Sequence, residues 1–346
     1  MNEFHGFRSF RRIQSGFLRG FKTKTQKRLV YCGLEWGPKR VSLRISIVEY
    51  LNTAPLVRGF THGPQKGKYE LSFTVPSQCA EALRSGAVDI AIIPAIEYQR
   101  IDDLVLLSGL AIASKKSVRS LLLISKKPIR EVGRIALDKS SRSTQSLTRI
   151  LCAKRWNITP EFFEAEPNLA AMLEEADAAL LIGDPALRVS LAMETSARRN
   201  ASGDLACAGT SVGLEKLPNL FVYDIVEKWR AMTSLPAVLA AWAARRGVVT
   251  AEIAQDFRES LAFGMLHLDE ICGEASKEMG LSSTKLRRYL VENIDYGLDA
   301  ENLEGLRRHF NLSAELGLIP QAREIEFAEG SASAGAATEL ASVRQP

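Results

Sequence analysis

The residues of this chain best suited to chemistry are amides, hydroxyls and one guanidinium, and they sit at four strand-to-helix junctions. These are Asn52-Thr53, Pro76-Ser77, the run Ser140-Ser141-Arg142-Ser143-Thr144, and Gly183-Asp184-Pro185. In open α/β sheets, ligands bind beyond the carboxyl ends of strands. There, free helix N–H groups and short polar side chains favour anions. Each Ser, Thr, Asn or Asp can also be a helix N-cap, and one position can serve both purposes. The stretch "LDKSSRSTQSL" could hold a carboxylate through its hydroxyls, backbone N–H groups and Arg142, which could equally point to water. In "LLIGDPAL", Gly183 allows close backbone approach. Asp184 can cap "PALRVSL" or accept from a ligand hydroxyl. Glu97, just after "AIIP", is a candidate general base or a structural acid at a helix start. Ser120 could face a cleft or a neighbouring strand.

The usual catalytic signatures are missing from the sequence. It contains no G-x-x-x-x-G-K-[ST], G-x-G-x-x-G or G-x-S-x-G, which removes the expected parts of phosphoryl transfer, hydride transfer and serine hydrolysis. Cys32, Cys79, Cys152, Cys207 and Cys272 are scattered and odd in number, with no C-x-x-C. The four histidines form no H-E-x-x-H pair. Neither a disulfide framework nor a metal centre is expected, and a reducing compartment is.

The elements that must position these groups alternate. "VSLRISIV" (41–48) is β-rich, and Ala54–Phe60 can be a short helix. "YELSFTV" (69–75) alternates at period 2, and "PSQCAEALRSG" places Pro76 and Ser77 at a helix start and Gly86 beyond its end. "AVDIAIIP" (87–94) is a strand buried on both faces. A parallel α/β lobe follows from this order. Two strands over 104–114 and 117–125 then lead out of it. A second α/β series runs from "RIALD" (134–138) through "STQSLTRILCAKRW", "EFFEA", "NLAAMLEEA" and "DAALLIGD" (177–184) to "PALRVSLAMETSA". After an irregular stretch at 200–217, "NLFVYDI" (219–225) returns the chain. Beyond it the pattern is helical: "PAVLAAWAARR" (236–246), then amphipathic segments near 250–276, 282–293 and 299–317. The expected picture is two lobes joined by two crossing strands, with C-terminal helices packed on the first lobe and a cleft between lobes.

At 346 residues, with 46% hydrophobic and 25% charged, the chain can form two such lobes. The assignment is residues 1–40 as a disordered extension, 41–114 plus 226–322 as lobe 1, 115–225 as lobe 2 and 323–346 as a disordered tail. The first 40 residues carry a formal +8 of the chain's +5, so the remainder is −3. That mildly acidic body gives nucleic-acid binding little support. The extension is basic, rich in Phe and poor in acids, in the manner of an organelle presequence or a surface-binding arm, and it lacks the apolar stretch of a secretory signal. No apolar run approaches the ~18 residues of a transmembrane helix.

The motifs "YLNTAPL", "VPSQCAEALRSGAVDIAIIPAIEY", "SVRSLLLIS", "LDKSSRSTQSLTRIL", "ALLIGDPAL", "YDIVEKWRAMTSLPAVLAAW" and "YLVENIDYGLDAENLEGLRRHFNLSAELGLI" together resemble the chorismate dehydratases of the futalosine route to menaquinone, in that family's order and over about 41–320. Two places depart from the family pattern. Ser141-Arg142-Ser143-Thr144 stands for Ser-Arg-Thr-Ser, and Thr233-Ser234-Leu235-Pro236-Ala237 for Thr-Gly-Leu-Pro-Phe. The resemblance implies a type II periplasmic-binding-protein-like fold used as a cytoplasmic, cofactor-independent lyase. The implied reaction is loss of water from chorismate to give 3-[(1-carboxyvinyl)oxy]benzoate.

On that chemistry, Asn52 would orient the reacting edge, and the proton would go to Glu97 or to the substrate's own enolpyruvyl carboxylate, since an amide is no base at neutral pH. Thr53, Ser77, Ser120, Ser141, Arg142, Ser143, Thr144, Gly183 and Asp184 would hold the substrate. Two rivals stand beside it: a solute-binding protein that only captures a small anion, and the sister enzyme of the route that forms the dihydroxynaphthoate skeleton. The oligomeric state is left open by the sequence.

Overall fold

The computed structural model describes residues 42–194, 198–199, 205–208 and 219–328. The basic extension, most of the stretch expected to be irregular at 200–217, and the tail beyond 328 lie outside the described residues.

The chain begins with β1 (Arg44–Val48), a 3₁₀ turn at Leu51–Thr53 and α1 (Ala54–His62), and continues with β2 (Glu70–Thr74), α2 (Pro76–Arg84) and β3 (Ile90–Pro94). Pro76 occupies the first turn of α2, where its missing N–H costs nothing, and Gly86 takes φ +74° just beyond the end. β3 is buried throughout and is followed by a 3₁₀ turn at Ala95–Gln99 and by β4 (Leu104–Ser114). β5 (Leu121–Ser125), β6 (Arg134–Asp138), α3 (Ser143–Leu151), β7 (Glu161–Ala165), α4 (Leu169–Glu175), β8 (Ala178–Ile182) and α5 (Gly183–Met193) come next. They are followed by β9 (Arg198–Arg199), β10 (Leu205–Cys207), β11 (Leu220–Asp224) and α6 (Ile225–Thr233). β12 (Ala237–Arg245) precedes α7 (Ala251–Leu266), α8 (Leu268–Met279), α9 (Ser283–Arg288) and α10 (Ala300–Glu315).

Two sheets organise these elements, in the orders β2-β1-β3-β12-β4 and β7-β6-β8-β5-β11-β10-β9. The first pairs β1 in parallel with β2 and β3, and then turns antiparallel through β12 and β4. The second pairs β6 in parallel with β7 and β8, while β5 runs antiparallel to β8 and β11. Both sheets are therefore mixed, where wholly parallel pairing was expected at least of the first. No described strand belongs to both sheets: the chain crosses through the segment between β4 and β5 and returns through α6.

The expectation of a helix over 236–246 is corrected. Alanine is a strong helix former, but the segment is β12, buried along most of its length between β3 and β4. Its alanines allow close approach on both sides, and Trp242 packs edge-on to Phe257 of α7 at 4.8 Å. The expected disordered tail is also corrected at its start. Residues 323–328 are tied down, with the Leu106 N–H donating to the Glu326 carbonyl at 2.8 Å and the Arg323 guanidinium stacked 4.4 Å over Tyr98.

The C-terminal helices do more than cover the first sheet. α7 packs on α1, where the Ser260 hydroxyl donates to the Leu56 carbonyl at 2.8 Å and accepts from Gly59 N–H at 3.1 Å. α10 touches both β12 and α3. There buried Ser146 meets His309 Nε2 at 3.0 Å and Ser313 Oγ at 2.9 Å. Burial holds the His309 imidazole down at a pKa of about 3, so it is neutral.

Candidate functional site

The carboxyl ends of β1, β3, β6 and β8 converge on a cavity of about 50 Å³ between the two sheets. Val48, Pro94, Ile112, Leu121, Ile182 and Leu239 give it apolar walls. Its polar lining is Tyr50, Asn52, Ser141, Arg142, Ser143 and Thr144, with the backbone of Gly183. Among the described residues, none that lines it carries a carboxylate or an imidazole.

Asn52 is buried in the turn after β1, and neither that turn nor α1 uses its side chain as a cap. The Thr53 hydroxyl donates to Asn52 Oδ1 at 3.4 Å, so the amide Nδ2 is the group left to donate elsewhere. Thr53 lies behind the lining. The hydroxyl run after β6 is organised by Asp138, which is fully buried. Its carboxylate accepts from Ser140 N–H at 2.9 Å, Ser140 Oγ–H at 2.6 Å and Ile182 N–H at 3.3 Å. Burial raises its pKa against those bonds. Asp138 thus joins the ends of β6 and β8, and the turn it stabilises presents Ser141 to Thr144 to the cavity.

Four contacts fasten one side of the cleft to the other. Leu51 N–H donates to the Asp184 carboxylate at 3.1 and 3.3 Å. Ser77 N–H donates to the Ser140 carbonyl at 3.1 Å, and Ile96 N–H donates to Ser143 Oγ at 3.2 Å. The Tyr50 and Ser140 hydroxyls lie 3.4 Å apart, and burial pushes the Tyr50 phenol up to about 12. Gly183 holds φ +62°, and a Cβ there would stand 2.6 Å from the Tyr50 ring. The left-handed backbone and the close approach both require glycine.

Several expected positions sit differently. Asp184 does not cap its own helix; α5 has no side-chain cap, and the carboxylate instead receives the opposite turn. Burial raises its pKa to about 6. Ser77 contributes its backbone, and Pro76 rather than Ser77 lines the cavity. Ser120 is wholly buried just before β5, outside the lining. Its carbonyl accepts from Gly183 N–H at 2.8 Å, and its hydroxyl accepts from Tyr289 at 2.8 Å.

Of the two readings of Glu97, the geometry suits the structural acid at a helix start. It is fully buried but outside the cavity lining, with its carboxylate split between Arg84 Nη2 at 2.5 Å and Arg100 Nη1 at 2.9 Å. Arg84 also pairs with Glu81 at 2.6 Å, and Glu81 lies 3.7 Å from Arg142 across the cleft. Glu97 therefore anchors an alternating chain of charges that ends at a cavity residue. Arg142 itself keeps a buried Nε with no hydrogen-bond partner.

Tyr50, Asp138 and Tyr289 are the polar groups that sequence reasoning passed over. Asp138 and Tyr50 stand inside motifs singled out for their neighbours. Tyr289 opens the last of the family motifs, and its bond to Ser120, over 160 residues away, leaves no local pattern.

A sheet pair with strand ends facing across a cleft is the architecture of periplasmic-binding-protein-like folds. Solved structures bear this out. Protein AF1704 from Archaeoglobus fulgidus matches with a TM-score of 0.61 at 20% identity, over 80% of this chain and 98% of that one. The alkanesulfonate-binding protein SsuA from Xanthomonas axonopodis pv. citri, bound to MOPS, matches at 0.55 and 17%, over 81% and 94%. These likenesses concern the fold.

Residues 43–315 match the menaquinone-biosynthesis family, and the chain belongs to that family. A chorismate dehydratase from Thermus thermophilus is 26% identical over 269 residues, which span 76% of this chain and 92% of the relative.

Proposed function

We propose that this protein is a cofactor-independent hydro-lyase that converts chorismate to 3-[(1-carboxyvinyl)oxy]benzoate and water. The observation that carries the reading is the cavity lining: an amide, hydroxyls and one guanidinium, with no carboxylate or imidazole among the described residues. Such a set can bind a dianion and orient it, but it offers no ordinary general base. Chorismate supplies what is missing. Loss of the C3 proton and the C4 hydroxyl aromatises its ring, so the step is downhill and calls for neither redox chemistry nor an electron sink.

In this mechanism Ser141, Ser143, Thr144 and Arg142 hold substrate carboxylate by charge-assisted hydrogen bonds. The Asn52 amide donates toward the C4 hydroxyl. The enolpyruvyl carboxylate removes the C3 proton, the C3–H electron pair becomes a ring double bond, and the C4–O bond breaks with release of hydroxide, which leaves as water after taking that proton. Holding one conformer is the main catalytic demand. Glu97, engaged by two arginines away from the lining, is the less suitable of the two proton acceptors considered. The cavity of about 50 Å³ has room for roughly three to five waters. Admission of chorismate therefore requires the cleft contacts to part and re-form around it. As an enzyme acting on a biosynthetic intermediate, the protein would work in the cytoplasm.

Incubating purified protein with chorismate and following the enolpyruvyl benzoate by chromatography tests the reading. Stoichiometric conversion supports it. Tight binding of chorismate without turnover would make the chain an anion-capturing protein, and inertness toward chorismate with turnover of a cyclic futalosine would make it the sister enzyme.

A further inference from the structure

Tyr50 lines the cavity from the turn after β1, with its ring so close to Gly183 that no Cβ would fit between them. Its hydroxyl stands 3.4 Å from Ser140 Oγ, and the direction of that contact follows from what lies behind it. Ser140 gives its own proton to Asp138 at 2.6 Å. Both oxygens of that carboxylate also accept backbone N–H groups, from Ser140 and Ile182. Ser140 Oγ is therefore left to accept, and Tyr50 to donate. At 3.4 Å the contact is well beyond the ~2.7–2.8 Å usual for O–H···O, so the phenolic proton is loosely held. Burial keeps that proton on the oxygen, with the pKa pushed up to about 12, so the phenol is a donor and no base. Two further lining residues have donors to spare. Ser143 Oγ accepts from Ile96 N–H at 3.2 Å, which leaves its proton to give, and Arg142 Nε is buried without an acceptor. Surplus donors from both sides of one small cavity call for an anionic oxygen ligand.

We propose that Tyr50 is a substrate-binding residue: when the cleft closes on chorismate, its hydroxyl exchanges Ser140 for the ring carboxylate, and so completes from the first sheet the donor set that Ser141 to Thr144 supply from the second. This inference rests on the dehydratase reading. The enolpyruvyl carboxylate has to stay free to take a proton, so the carboxylate these donors hold is the one on the ring.

Tyr50→Phe keeps the ring against Gly183 and removes only the hydroxyl. KM for chorismate should rise about tenfold or more, the effect of one hydrogen bond to a charged group. The kcat should stay within about threefold, because the bond is made alike before and during the elimination. The dissociation constant of 3-hydroxybenzoate, an unreactive ring carboxylate, should rise by the same factor. Its stabilisation of the variant against heat should shrink, while the free variant melts within about 2 °C of wild type. A variant that binds both compounds as wild type does overturns the inference and leaves the dehydratase reading intact. So does one that melts lower but keeps the whole ligand-induced rise, since that is the mark of a packing role. Wild type that binds 3-hydroxybenzoate without turning over chorismate overturns the dehydratase reading, and weaker binding by Tyr50→Phe then still upholds Tyr50 as a carboxylate donor. Failure of the wild type to bind either compound overturns both.

Discussion

The Asp184 carboxylate of the second sheet's helix α5 receives the Leu51 N–H of the first sheet's 3₁₀ turn at 3.1 Å. One hydrogen bond therefore joins the two strand ends that also carry Gly183 and Asn52. Because burial raises the Asp184 pKa to about 6, above its ordinary value of 3.8, the folded protein binds this proton more tightly than the unfolded chain. The associated stability is fully present below about pH 4 and is lost as pH rises through 6. Asp184→Asn should flatten that part of the stability profile, on the order of 2 kcal/mol, in urea titrations between pH 4 and 7. An unchanged slope in the variant would show that another group is responsible.

Glu97→Gln should keep kcat within about threefold of wild type, since the carboxylate stands outside the cavity lining. Stability should fall by about 2–4 kcal/mol, because Arg84 and Arg100 lose the anion between them. Calorimetry and steady-state rates on the same preparation separate the two effects. A loss of several hundredfold in kcat would return Glu97 to the role of base.

Gly183→Ala places a methyl against the Tyr50 ring and demands a left-handed alanine. The backbone cost is about 1–2 kcal/mol, and the ring must move away from Ser140. Activity should drop at least tenfold, with KM raised, because the wall of the cavity itself is displaced. Unaltered kinetics would mean that the cleft works in a wider form.

Ser234 ends α6 at φ +63°, a conformation glycine adopts without strain. Ser234→Gly should stabilise the protein by roughly 0.5–1 kcal/mol, seen as a higher melting temperature at unchanged kcat. A lower melting temperature would show that the Ser234 side chain has an unrecognised contact.

His309 adds a prediction for acid conditions. Its pKa of about 3 lies below the ordinary 6.5, so the unfolded chain takes up the proton first. This contribution is fully present above pH 6.5 and is lost as pH falls toward 3. His309→Gln should reduce the acid slope of stability over that window, measured by the same urea titrations. A slope as steep as that of the wild type would place the acid sensitivity elsewhere.

Local patterns were enough to locate most elements and the polar strand ends. Period-2 alternation marked β2, the continuous apolar runs marked β3 and β8, and Pro76 with Gly86 bracketed α2. The motif order pointed to the family, and the polar residues after β1, β6 and β8 were legible as cleft residues. These properties depend on neighbours a few positions apart, so the chain determines them by itself. The remainder depends on what packs against what. Eleven residues of alanine-rich chain from 236 to 246 could be helix or strand, and only the gap between β3 and β4 made β12 a strand. Glu97 could be base or anchor by its sequence, and the fold sets its carboxylate outside the cavity lining, between Arg84 of α2 and Arg100 three residues on. Asp184 could cap its own helix, but Leu51 lay within reach. Tyr289 opens one of the family motifs, but its bond to Ser120 was not legible until the C-terminal segment folded back, because a hydrogen bond between distant residues leaves no periodicity in sequence.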